Sequence, residues 1–133
     1  MSQENVEVAR RWWAGFNADG VVPLDLCDEE IVMRNPASFP VVGPFVGHDG
    51  VRQWAKECWE VFDELVMDVE EVLDVGDGER VVSVPRVRGR MRHTGLPTNV
   101  QWAGVLTIRA GRVTQAQGYM TRAEALEAAG LTE

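Results

Sequence analysis

Glu71 is the residue in the sequence with the sharpest chemical potential. It falls in MDVEEVLDV (67–75), where Met67, Val69, Leu73 and Val75 alternate. Strict strand alternation puts Glu71 on that same apolar face. A carboxylate buried there would have a raised pKa and would suit a general base. The competing reading is a β-bulge at Glu70-Glu71 that turns both acids to water, and a doubled acid favours the bulge. His93 is the second candidate, at the end of a strand-like run beside Gly95. It reads as an acid/base at a pocket rim or, the favoured alternative, as a solvated strand-end side chain. His48, the other of the two histidines, opens a helical segment and reads as a surface residue.

Other clusters point to less. No HxH, HExxH or Cys/His grouping is present, and Cys27 and Cys58 form no CxxC pair, so neither a metal nor a cofactor is expected. Asp25, Asp28, Glu29 and Glu30 lack the glycine-bearing loop of a calcium site and read as a solvated turn. Arg86, Arg88, Arg90 and Arg92 alternate and share one strand face. They would make an anion site or, as favoured here, pair with acids such as Asp68 and Glu70 on a neighbouring strand.

The remaining signal is aromatic. Five tryptophans are a high count for 133 residues. Trp12 and Trp13 sit about 100° apart on one helix, Trp54 and Trp59 sit on a second, and Trp102 on a strand. The strand set Trp102, Gly104, Leu106 and Ile108, with Ala116, Gly118 and Met120 on its neighbour, alternates toward the same side. Bulky aromatics around small strand residues describe an apolar pocket for a flat or aliphatic molecule. The alternative is that the indoles fill that space as core.

The elements that must position these residues follow from periodicity. Apolar residues from Gln3 to Phe16 recur at helical spacing, with Ser2 as N-cap, and Asn17-Ala18-Asp19-Gly20 ends the run. Pro23–Asp28 suggests a helical turn, and Ile31–Asn35 a strand stopped by Pro36. A Pro/Gly/Phe-rich loop reaches Gly47, where a helix begins whose apolar face is Val51, Trp54, Ala55, Cys58, Trp59 and Phe62. Long strands follow at 66–75, 80–93, 99–109 and 112–120, with Gly76-Asp77-Gly78 and Ala110-Gly111 as hairpin turns. Thr121 and Glu124 form a capping box for a last helix that ends at Gly130.

The charge balance is acidic, 13 basic residues against 21 acidic ones, a net charge of −8. That argues against nucleic acid or an anionic membrane as partner. Lys56 is the single lysine, so the arginine count reflects a general compositional preference. One domain over 1–133 is expected, and a reducing, cytoplasmic setting fits two cysteines without a disulfide framework.

Helix, short strand, helix and then long antiparallel strands is an α+β order. VARRWWAGFNADG (8–20), VMRNP (32–36), GHDGVRQW (47–54), LTIRAGRV (106–113) and YMTRAEALEAAGL (119–131) together resemble the SnoaL-like branch of the nuclear-transport-factor-2-like superfamily, which includes ketosteroid isomerase, polyketide cyclases and limonene epoxide hydrolase. The resemblance implies a cone: a curved antiparallel sheet with helices packed on its concave face, and a homodimer through the convex face. It also implies where isomerase chemistry would sit, and each such position is replaced here. Asn35, before Pro36, stands at the base position and has no useful basicity. Trp12, two residues after Arg10, stands where a tyrosine would donate. Gly104 lies near the position of the second acid. The aspartates of the epoxide hydrolase are likewise missing from the last three strands.

Two function classes follow. One is a cofactor-independent isomerase, cyclase or hydrolase working by proton transfer on a small apolar molecule, with Asn35, Glu71 or His93 as candidate catalytic residues. The other is a non-catalytic small-molecule binding or dimerisation module. In either, the expected pocket residues are Trp12, Phe16, Met33, Asn35, Trp54, Trp102, Gly104 and Met120.

Overall fold

A computed structural model describes residues 2–131. The first helical stripe forms α1 (Ser2–Asp19), longer than expected. Ser2, read as its cap, is already helical, and the residue before it lies outside the described residues. Asn17 does not terminate the helix. Its side chain clamps the helix to the sheet: Nδ2 donates to the Met67 carbonyl at 2.8 Å and Oδ1 accepts from the Met67 N–H at 2.8 Å. Gly20, at φ +80, then turns the chain out.

A 3₁₀ turn (Leu24–Leu26) leads into β1 (Cys27–Arg34), then β2 (Phe45–Val46), α2 (Gly47–Val61), β3 (Phe62–Asp74), β4 (Arg80–Met91), β5 (Pro97–Gln101), β6 (Ala103–Arg109), β7 (Arg112–Tyr119) and α3 (Arg122–Ala128). The strands make one curved, unclosed seven-stranded sheet in the order β2-β1-β7-β6-β4-β3, with β5 beside β4. All pairings are antiparallel except β1 with β7, which is parallel.

Several boundaries differ from the sequence expectation, each for a long-range reason. The first strand begins at Cys27 because β7 pairs with it from there. Phe62 is the first residue of β3, not the last of the helix, since it pairs with Met91 of β4. The single strand expected over 99–109 is two. β5 pairs with Arg86–Arg90 and β6 with Arg80–Ser83, so the chain steps from one half of β4 to the other at Trp102. The Trp102 N–H donates to the Pro85 carbonyl at 2.8 Å across that step. β4 stops at Met91, which leaves Arg92 and His93 in a turn.

Two apolar clusters lie on opposite faces of the sheet. The larger joins α1 and α2 to the inner face, through Trp12, Trp13, Phe16, Trp54, Met67, Val87 and Leu106 among others. The smaller sits under α3, where Val82, Val84, Ala103 and Val105 meet Ala125, Leu126 and Ala129. The capping box at α3 forms, with Thr121 Oγ1 accepting from the Glu124 N–H at 3.1 Å. Its far end closes as a Schellman motif, with Leu131 N–H to Leu126 O at 2.8 Å around Gly130 at φ +80.

The bulge at Glu70 forms as well. Val69 pairs with Pro85 and Glu71 with Val84, leaving Glu70 as the extra residue. One inserted residue reverses the side-chain alternation. Met67 therefore points into the larger cluster, whereas Leu73 and Val75, expected on the same face, join the smaller one.

Candidate functional site

A cavity opens between α1, α2 and the inner face of the sheet. Its floor is one cross-strand row: Ser83 of β4 lies opposite Gly104 of β6, which lies opposite Gly118 of β7. The two glycines keep the floor low. A Cβ on Gly118 would come within 2.6 Å of Asn35 Oδ1, and one on Gly104 within 3.3 Å of the Gln117 carbonyl. Above the floor stand Trp12, Trp13, Trp54 and Trp102, with Met33 and Leu106 closing the sides. The indole rings pack edge to face and tilted, Trp12 to Trp13 at 6.4 Å and Trp13 to Trp54 at 6.5 Å between centroids.

The polar groups here are few and differently engaged. The Trp13 indole Nε1–H donates to Ser83 Oγ at 3.2 Å. Asn35 sits at the rim and holds the 36–44 loop, donating from Nδ2 to the Val41 carbonyl at 2.7 Å and from its backbone N–H to Val42 O at 2.9 Å. Phe39 of that loop packs edge-on against Trp102, at 4.3 Å between centroids. Gln117 and the exposed Arg34 complete the rim. Among the described residues, no carboxylate and no histidine lines the cavity.

The free volume is about 40 Å³, room for roughly three water-sized groups at about 10–15 Å³ each. Pockets for drug-sized ligands run from about 300 Å³. The tryptophans thus line a cavity that is small.

Trp12, Met33, Asn35, Trp54, Trp102 and Gly104, expected as pocket residues, come together here, as do Leu106, Ala116 and Gly118. Phe16 does not reach the cavity. It is fully buried beneath it, stacked on Trp59 at 6.0 Å and tilted against Trp54 at 5.4 Å. Met120 lies past the end of β7, exposed, in a separate open groove beside Glu124 and Glu127 of α3. Ile108 is core.

The candidate acids and bases lie elsewhere. The bulge turns Glu71 to the outer face, where Arg122 grips it with Nε–Oε1 at 2.7 Å and Nη2–Oε2 at 3.1 Å. That hydrogen-bonded guanidinium holds the Glu71 carboxyl below its ordinary range, the opposite of what a general base needs. His93 is exposed in the turn after β4 and does not line the cavity. His48, expected on the surface, is half-buried and donates from Nε2 to the Cys27 carbonyl at 2.9 Å, fixing the start of α2 to β1.

The arginine ladder is matched by acids of β3: Arg86 with Glu70 at 2.8 Å, Arg88 with Asp68, Arg90 with Glu64 at 4.0 Å and Arg92 with Asp63 at 3.7 Å. Hydrogen bonds from Arg86 and Gln101 hold the Glu70 carboxyl low. Cys27 and Cys58 are free and buried, and burial pushes both thiols up to about 12. Among the described residues, no three His, Cys, Asp or Glu side chains group as metal ligands, and no helix is long and apolar enough to cross a membrane.

Residues 9–116 match the family model of the SnoaL-like domain. The chain belongs to the SnoaL-like domain family. No functionally curated protein matches this SnoaL-like chain in sequence. Among solved structures, Bal32a from a soil-derived mobile gene cassette is similar at 22% identity, covering 96% of both chains with a TM-score of 0.78. An NTF2-like protein from Burkholderia xenovorans LB400 is similar at 26% identity, covering 97% of both, with a TM-score of 0.76. TerC, co-crystallised with polyporic acid, is similar at 17% identity, covering 96% of this chain and 98% of its own, with a TM-score of 0.73. These likenesses carry the cone fold of the SnoaL-like domain.

Proposed function

We propose that this SnoaL-like domain binds a small, uncharged, largely apolar molecule that inserts one end between the tryptophans and the Ser83–Gly104–Gly118 floor. The observation that carries the reading is the lining itself: four indoles over a floor without side chains at Gly104 and Gly118, with a hydroxyl at one end and an amide at the other. A charged group at the inserted end would lose its hydration without meeting a counter-ion, since among the described residues the one charged lining residue, Arg34, stands exposed at the rim. The co-crystallisation of the similarly folded TerC with polyporic acid is in keeping with a flat organic ligand.

Proton-transfer catalysis is the second reading, favoured by Asn35 standing at the cavity rim. An amide there can orient a substrate or a water by hydrogen bonding but cannot take its proton. Binding is therefore the function assigned, and any turnover would come from orientation. Self-association through the outer face of β3, β4 and β5 fits the rows of paired charges, which a two-fold axis would set against each other. A reducing, cytoplasmic setting fits the two buried free thiols.

The test is native mass spectrometry of the protein incubated with uncharged ring-containing fragments. One-to-one adducts are expected, and Gly104→Leu, which fills the floor, abolishes them. No adducts, or adducts indifferent to Gly104→Leu, contradict the assignment.

A further inference from the structure

We propose that the free edge of β5 is an interaction surface for a second copy of this chain, the two β5 strands pairing antiparallel across a two-fold axis at Asn99. The surface is separate from the tryptophan cavity and does not depend on it. β5 pairs along one side with β4 and, among the described residues, with no strand along the other. Two bonds fix which groups that open side carries. The Met91 N–H donates to the Leu96 carbonyl at 2.9 Å, and the Trp102 N–H donates to the Pro85 carbonyl at 2.8 Å. Hydrogen-bonding positions alternate along an antiparallel strand, so Leu96, Thr98, Val100 and Trp102 turn their backbone groups to β4. Pro97, Asn99 and Gln101, all exposed, turn theirs outward. The open edge therefore offers the N–H groups of Asn99 and Gln101 and the carbonyls of all three.

Those groups are self-complementary. About an axis at Asn99, each Asn99 N–H donates to the other copy's Asn99 carbonyl, and each Gln101 N–H to the other copy's Pro97 carbonyl. No donor is left over, because proline has none. The other sheet edges are guarded. β2 is two residues long, and β3 is bulged at two places and carries Asp63, Glu64, Asp68 and Glu70. Short, bulged or charged edges resist pairing. β5 has no charged residue, and its register with β4 is unbroken. Leu96 and Val100, 62% and 47% exposed, lie along it as apolar area that pairing would cover. Charge does not oppose the approach. Arg86 and Arg88, opposite Gln101 and Asn99 on β4, are neutralised by Glu70 and Asp68, so the contact strip is neutral although each chain carries −8. The contact is five residues long on each side and belongs to the weak, concentration-dependent class. Association through the outer face of β3, β4 and β5 would leave the Asn99 and Gln101 amides open, so the two contacts are read apart at those amides.

The test follows amide exchange of Asn99 and Gln101 by proton–nitrogen NMR in dilute and concentrated solutions of the intact protein. Both amides are expected to slow about tenfold on concentration, as mass action populates the pair. Asn99→Pro suits an edge position whose N–H faces out of the sheet, but it removes the central bonds of the pair. It should raise the dimer dissociation constant, measured by sedimentation, about tenfold or more. Val66→Lys, on the outer face of β3, should leave that constant unchanged. If Asn99→Pro does not fold, Gln101→Pro removes the flanking bonds and carries the same expectation. Exchange at Asn99 and Gln101 that ignores concentration, or a dimer that Asn99→Pro leaves intact, overturns the proposal. Protein that stays monomeric at every concentration overturns the assignment to a second copy and leaves the edge to a strand of another protein.

Discussion

Replacing Gly118 by alanine tests how tightly the cavity floor and its covering loop are joined. A Cβ there would sit 2.6 Å from Asn35 Oδ1, where ordinary contact begins at 3.4 Å. The amide must retreat by the difference, about 0.8 Å. The next neighbours, Arg34 O at 3.5 Å and the Asn35 Cα at 3.6 Å, are at ordinary distance, so the side chain has to move and the backbone does not. The other end of that amide is tethered to the Val41 carbonyl at 2.7 Å. Turning it away breaks that bond in a buried part of the loop, at a cost of about 1–2 kcal/mol. Glycine-to-alanine replacement at a compatible backbone returns about 0.4–1 kcal/mol by restricting the unfolded chain. The net expectation is a loss of about 0–1.6 kcal/mol. In an Asn35→Ala background the clash is gone and the same replacement is neutral or slightly stabilising. Urea unfolding of the four proteins, followed by tryptophan fluorescence, gives the coupling energy directly, expected at about 1–2 kcal/mol. A coupling below about 0.3 kcal/mol would refute the contact between the floor and the loop latch.

Further expectations concern the frame and the outer face. Asn17→Ala removes both bonds to Met67 and strands a backbone donor and acceptor, so it should cost about 2–4 kcal/mol in urea unfolding and speed exchange of the Met67 amide; a loss below about 1 kcal/mol would show the clamp to be ornamental. Glu71→Gln should remove a few tenths to about 1 kcal/mol at neutral pH, because the pair with Arg122 is about a third exposed. The Glu71 pKa is lower folded than unfolded, so its contribution is present above the unfolded value of about 4.3 and is lost as pH falls through the folded value. The gap between the intact and variant proteins should therefore close below about pH 4 in pH-dependent melts, and a gap that widens there contradicts the sign. With both thiols buried and pushed up to about 12, Cys27 and Cys58 should resist iodoacetamide at pH 8 in the folded protein and react in urea; fast native labelling of either would mean its burial is wrong.

What the sequence made legible depends on the range over which each feature is decided. The stripes of α1 and α2, the capping box at Thr121 and the Glu70 bulge are local patterns, and each formed. The break at Trp102 was invisible, since alternation runs unbroken from Asn99 to Arg109 and only the switch between halves of β4 interrupts it. The junction of α2 and β3 at Phe62 carries no glycine or proline to announce it. At the site, the glycines and indoles stood out by size contrast, and Asn35 by its place before Pro36. Ser83 did not: one small polar residue among valines reads as filler, and the indole that gives it a role is 70 residues away. Met120 failed for the opposite reason, because alternation along β7 ends at Tyr119, one residue before it.

The account rests on the space between the tryptophans and the glycine floor being a binding site. A crystal structure of the protein soaked with uncharged ring-containing fragments tests it most directly. Density for one end of a fragment over Gly104 and Gly118, between the tryptophans, is the predicted result. A dry or water-filled cavity, with fragments found only in the open groove beside α3, would contradict it.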